Sequence, residues 1–241
     1  MMRYLIRFSY DGSKFYGFQR LQNKPCVQRE IEDALKSFTR EEVRIKGAGR
    51  TDRGVHAYGQ CAHFDLDKAL DPKKILFELN RKTSSYLHFI SCEVVDKDFH
   101  ARFNVKNKTY LYKINIGEYS PFKADYYLNY KDTINVKKLK EAAKIFKGVH
   151  DFRNFVSGER DNYESVVFDI KIKKNSDTIN IYFKGKSFYR YMVRNLVGAM
   201  LDYNKGKVSL EEIKLMLDKP EIKKQLTTAS SEGLYLVEIN Y

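Results

Sequence analysis

No tryptophan occurs in this chain of 241 residues, and prolines number four and cysteines three. With few prolines and no low-complexity stretch, there is no candidate for a stiff linker between separate modules. Cys26, Cys61 and Cys92 are odd in number and widely spaced, with no CxxC pair. That argues against a disulfide framework and against a zinc cluster, and it fits a reducing cytosol. No run approaches the ~20 apolar residues of a membrane-spanning helix. Met1–Tyr10 reads as a strand, without the apolar core or cleavage site of a signal peptide, so a cytoplasmic location and no membrane partner are expected. Acidic side chains are in deficit: 31 Asp and Glu stand against 44 Lys and Arg, a net charge of +13.

That excess favours a polyanionic partner, nucleic acid first. A lysine-rich solvated surface is the plainer alternative. The aromatic content is tyrosine and phenylalanine, 18 and 16, and such rings can stack on unpaired bases. The chain is 43% hydrophobic, enough for a proper core.

Periodicity gives the organisation. Arg3–Tyr10 (RYLIRFSY) alternates as a strand, and Val27–Phe38 has apolar residues at helical spacing. Val43–Lys46 and Gln60–Asp65 are short strand candidates. Asp71–Lys82 begins with an Asp cap and a proline and reads as a helix, and Phe89–Val95 reads as a strand. The second half repeats the order. Thr109–Ile116 is a strand and Val136–Phe146 a helix. Val166–Lys173 and Thr178–Phe183 form a hairpin across Asn175–Asp177. Phe188–Tyr203 and Ser209–Leu217 are helices, and Leu234–Ile239 is the last strand. Both halves match the βαββαβ, ferredoxin-like pattern. The expected class is α+β, with residues 1–105 as the first half and 106–241 as the second.

Gly47–Gln60 (GAGRTDRGVHAYGQ) is the segment that carries chemistry. Its glycines permit tight turns and close approach to a ligand. Asp52 is its only carboxylate, flanked by Arg50 and Arg53. Such neighbours are expected to keep Asp52 ionised at neutral pH, which suits a nucleophile or charge stabiliser and suits a general acid poorly. A surface turn with a local Arg–Asp pair is the bland alternative, disfavoured by the density of glycines and arginines.

GRTDRGVHAYGQ closely resembles the signature of the TruA-type tRNA pseudouridine synthases, GRTD-x-GVH. YDGSKFYGFQ at Tyr10–Gln19, DFHARF at Asp98–Phe103, KTYLY at Lys108–Tyr112, FYRYMVRNLVG at Phe188–Gly198 and EGLYLV at Glu232–Val237 resemble further segments of that family, in the same order along the chain. The resemblance implies a pseudo-two-fold pseudouridine synthase fold with a central cleft and isomerisation of uridine to pseudouridine in the tRNA anticodon stem-loop, at tRNA positions 38, 39 and 40. It implies a homodimer. It makes Asp52 the catalytic aspartate, Arg50 the arginine that fills the space left by the extruded base, Tyr110 the tyrosine that stacks on the target uracil, and Arg194 the arginine that pairs with the catalytic carboxylate. Two departures stand out: Arg190 and Tyr191 replace histidines of some members, and Asp151–Ser165 is short.

The reaction breaks the N1–C1′ bond, turns the uracil and rejoins it through C5. It needs no redox change, so no cofactor and no metal are implied. An ionised carboxylate suits attack at C1′ or C6, or a glycal route, and the residues do not choose among these.

Other residues have plainer readings beside functional ones. Asp11–Arg20 reads either as an RNA contact or as a glycine-shaped loop packing Phe15 and Phe18 inward. Arg190 and Arg194 are expected on one helix face, with Tyr191 pointing elsewhere. His56 and His63, the isolated His100, and His150 with Asp151 are assigned to capping or packing rather than metal binding. Lys137, Lys138, Lys140 and Lys144 form a basic helix face, solvated or facing RNA backbone. Competing functions are a related synthase acting on rRNA, a non-catalytic RNA-binding module of two RRM-like units, and a nuclease. An RRM has no use for GRTDRGVH, and a metal-dependent nuclease needs more carboxylates than this loop holds.

Overall fold

Alternation along Met2–Tyr10 puts Tyr4, Ile6, Phe8 and Tyr10 on one face, and all four are buried. The computed structural model, which describes all 241 residues, makes this segment strand β1. In chain order follow α1 (Val27–Thr39), β2 (Lys46–Gly47), β3 (His56–Leu66), α2 (Pro72–Lys82) and β4 (Leu87–Val95). The later elements are β5 (Asn107–Asn115), β6 (Leu128–Asn129), α3 (Val136–Ile145), β7 (Gly148–Asp151), β8 (Glu164–Lys174), β9 (Thr178–Gly185), α4 (Met192–Asn204), α5 (Leu210–Asp218) and β10 (Leu234–Asn240). The architecture is α+β. No helix is long and apolar enough to cross a membrane.

The chain divides into two compact units, Met1–Lys106 with Tyr235–Tyr241, and Asn107–Leu234. In the first, β1 is central, antiparallel to β4 on one side and β3 on the other. β3 then pairs antiparallel with the short β2 at His63 and Ala62, and parallel with β10 at His56 and Ala57. The order β4-β1-β3-β2 is the split βαβ arrangement. Helix α1 buries Val27, Ile31, Ala34 and Leu35, a stripe at helical spacing. Each Ile or Leu so buried contributes about 1.5–3 kcal/mol. On the same helix Glu32 is buried too, and it accepts from Arg20 at 2.8 Å, Arg44 at 2.9 Å and the Ile45 amide at 3.2 Å. One carboxylate thereby ties the end of the first loop to the segment that leads into β2.

In the second unit β9 lies between β5 and β8, with β7 on the outer edge of β8. The order β5-β9-β8 repeats β1-β3-β2. Asp71 caps α2 through the Lys73 amide at 2.9 Å, and Ser209 with Glu212 closes a capping box on α5. Three local expectations are corrected. Val43–Lys46 is not a strand; the pairing residues are Lys46–Gly47, because Val43 and Ile45 turn into the core instead. The helix expected from Phe188 begins at Met192, since Tyr191 sits at φ +64°, a left-handed conformation that a helix cannot contain. His100 is not isolated: its ring lies 4.6 Å from that of His63.

Candidate active site

The loop that joins β2 to β3 carries Arg50, Asp52 and Arg53, and neutral groups hold it in place. The Ala48 amide donates to the Cys61 carbonyl at 2.8 Å, and Gln60 Nε2 donates to the Gly49 carbonyl at 3.0 Å. Beneath the carboxylate, Thr51 is held twice. Its Oγ1 meets the Tyr10 hydroxyl at 2.8 Å, and its carbonyl accepts the Phe18 amide at 3.1 Å. The Val55 amide closes back on the Asp52 carbonyl at 3.2 Å, and Gly54, at φ +81°, supplies the left-handed position that this tight turn requires. Asp52 is half-buried, whereas Arg50 and Arg53 are exposed.

The first loop, Asp11–Arg20, braces this turn. Phe15 and Phe18 are buried, 3% exposed each, so they point inward as the packing reading expected. The ring nitrogen Nδ1 of buried His56 accepts the Gly12 amide at 3.1 Å, and the His56 ring stacks on Tyr235 at 4.5 Å. His56 is therefore a packing and anchoring residue within β3. His63 is likewise buried and accepts the Ala101 amide at 3.0 Å. Burial pushes the Tyr10 hydroxyl up to about 12, against the smaller opposing effect of its bonds to Thr51 and Gln60. It stays protonated at neutral pH and acts as a fixed support.

The other expected site residues lie in the second unit. Tyr110 stands on β5 opposite Phe183, is 8% exposed, and meets the Phe188 ring edge-on at 5.2 Å. Arg194 lies in the first turn of α4. Its Nε donates to the Ala229 carbonyl at 2.7 Å, and its guanidinium lies 4.6 Å from the centroid of the Tyr191 ring. Arg190 approaches the same ring at 5.0 Å. Tyr191 therefore does not point away from the two arginines. Its left-handed backbone brings the ring between them in sequence and against both in space. Below, buried Tyr112 donates to the Ser230 carbonyl at 2.8 Å, and burial raises its pKa far above the usual tyrosine range.

Sequence reasoning missed the supports, Tyr10, Thr51 and Gln60, and the contact of Tyr16 with Arg53 at 4.3 Å. No local pattern encodes them: Tyr10 with Thr51 and Tyr16 with Arg53 join segments far apart in the chain, and Gln60 reaches back across its own loop to Gly49. The arrangement can present an anionic oxygen on a rigid turn edged by exposed guanidinium groups.

The profile of the family described as tRNA pseudouridine synthase matches residues 6–104 and 142–241. A protein of Finegoldia magna called tRNA pseudouridine synthase A is 38% identical, over 98% of this chain and 98% of its own. Proteins of the same name from Streptococcus agalactiae and Malacoplasma penetrans are 39% and 36% identical, over the whole of this chain and 96% and 100% of theirs.

Proposed function

The chain belongs to the tRNA pseudouridine synthase family, and we propose from it that Asp52 is the carboxylate through which uridine becomes pseudouridine in tRNA. The enzyme is an isomerase. The N1–C1′ bond of uridine breaks, the C5–C1′ bond forms, the C5 hydrogen leaves as a proton and N1 gains one. Nothing is oxidised or reduced, so the balance calls for no cofactor. The observation that carries the assignment is the rigidity of the Asp52 turn: a half-buried carboxylate on a backbone pinned at Ala48, Gly49, Thr51 and Val55. Carbon chemistry at C1′ or C6 needs an oxygen held in place to a fraction of an ångström.

The target base leaves the RNA stack, at a cost of a few kcal/mol. The roles proposed for Arg50, Tyr110 and Arg194 are those that the family resemblance implies. The exposure of Arg50 suits a side chain that enters the vacated space, and the Phe188 contact suits Tyr110 to a fixed stacking face. The substrate is the anticodon stem-loop of tRNA, and the working form is a homodimer. The test is to incubate the protein with tRNA transcripts and rRNA fragments and to map pseudouridine in each. Wild type should modify the 3′ side of the anticodon arm. Asp52→Ala should make none while binding tRNA within about tenfold, roughly 1.4 kcal/mol. Turnover by Asp52→Ala would remove the carboxylate from the mechanism. Product confined to rRNA would reassign the substrate.

A further inference from the structure

Arg53 fills the one position that the GRTD-x-GVH signature leaves open, between Asp52 and Gly54. The bond from the Val55 amide to the Asp52 carbonyl puts Arg53 at the tip of the turn, exposed. Its guanidinium does not trail into solvent. It lies 4.3 Å from the centroid of the Tyr16 ring, and the Lys24 ammonium lies 4.6 Å from the same centroid. Tyr16 is itself 37% exposed, and its backbone is fastened: its amide donates to the Pro25 carbonyl at 2.8 Å. The next residue, Gly17 at φ +96°, packs so closely that a Cβ there would come within 3.0 Å of the Thr51 carbonyl oxygen. The ring is thus mounted on the Asp52 loop, and two cations are mounted on the ring.

Each cation–ring contact at an exposed site is worth only about 0.5–1 kcal/mol, and the two cations repel each other. As a device for stability the cluster is weak. As an anion site it is preorganised, because an incoming anion relieves that repulsion and finds the guanidinium fork already oriented. We propose that Arg53 and Lys24, mounted on Tyr16, form a phosphate-binding subsite that grips the RNA backbone beside the nucleotide served by Asp52. Tyr16 is the positioning residue. The subsite carries no base specificity, since phosphate contacts set register rather than read sequence. It fixes how far the target nucleotide reaches toward the carboxylate. The inference rests on the reading of Asp52 as the catalytic group.

The test uses full-length protein and a tRNA transcript, with pseudouridine formation and salt-dependent binding measured for wild type, Asp52→Ala, Arg53→Gln, Lys24→Gln, Tyr16→Leu and Tyr16→Phe. Lys74→Gln, an exposed charge on α2, is the control for lost net charge. Arg53→Gln should raise KM on the order of tenfold, the scale of one charge-assisted hydrogen bond, with kcat within about twofold. Its slope of log affinity against log salt should fall by about 0.7–0.9, one phosphate contact. Tyr16→Leu should show the same loss and add little to it in the Arg53→Gln background. Tyr16→Phe and Lys74→Gln should match wild type. An unchanged KM and salt slope in Arg53→Gln overturns the subsite, and fully additive losses in the double variant remove Tyr16 from it. Wild-type protein that makes no pseudouridine would instead overturn the reading of Asp52. An active wild type, a silent Asp52→Ala and a wild-type-like Arg53→Gln would overturn the subsite alone.

Discussion

Tyr10 and Tyr110 have different work in the proposed function. The Tyr10 hydroxyl is spent on Thr51 at 2.8 Å and, with its pKa pushed up to about 12 by burial, exchanges no proton at neutral pH. Tyr110 is the one proposed to meet the uracil. Tyr110→Phe keeps the ring and its contact with Phe188 and loses only the hydroxyl. If that hydroxyl assists proton transfer, kcat should drop by about a hundredfold, the low end for general acid–base groups, with tRNA affinity retained. Full kcat would confine Tyr110 to stacking. His63 offers a test of stability instead. It is 1% exposed, its Nδ1 accepts the Ala101 amide, and its Nε2 has no partner. Burial, then the charges of His100, Arg3 and Lys46, depress its pKa from 6.5 to about 4. The unfolded chain therefore takes up its proton first on acidification. The stability from a neutral His63 is complete above pH 6.5 and is lost as pH falls toward 4. Thermal melts should show Tm falling across that window, and His63→Gln, which cannot titrate, should flatten the fall. An equally steep fall in His63→Gln would place the acid sensitivity elsewhere.

At the scale of elements, helix starts and stops were legible where a side chain caps them. Asp71 with Pro72 and Ser209 with Glu212 announce α2 and α5 in sequence, and both caps form. The start of α4 was not legible, because apolar spacing continues back to Phe188 while the backbone at Tyr191 turns left-handed. Helix α4 also packs with no room to spare. A Cβ on Gly198 would fall 1.6 Å from the Thr227 carbonyl oxygen, and Asp202 holds Thr227 in place at 2.7 and 2.8 Å. Helix propensity alone favours alanine over glycine by about 1 kcal/mol. A backbone clash of this depth outweighs it, since overpacking costs about 1–3 kcal/mol even where side chains can yield. Gly198→Ala should therefore lower Tm by about 2–4 °C for each net kcal/mol lost, read by circular dichroism. A higher Tm would show that the Thr227 strap moves freely.

At the scale of the whole molecule, the net charge of +13 and the exposed Arg50 and Arg53 suit a large folded polyanion. The proposed homodimer has a direct measurement. Light scattering at working concentration should give about twice the 28.4 kDa of one chain. A value of one chain, and a complex with tRNA that holds a single chain, would mean that each chain works alone.

Local pattern determined a good deal of this protein by itself: the alternation of β1, the apolar stripe of α1, the caps of α2 and α5, and a glycine-rich loop with a single carboxylate. These are legible because period, capping and turn chemistry act over a few residues. Tertiary structure decided which segments meet. Strand β3 pairs with β1, with β2 and with β10 at the far end of the chain, and no periodicity in β3 says so. It also decided that Tyr16 lies under Arg53, that His63 meets His100, and that Tyr10 reaches Thr51. Such contacts depend on how distant segments close and pack together. The free energy of that closure is set by the whole fold rather than by the residues beside each site.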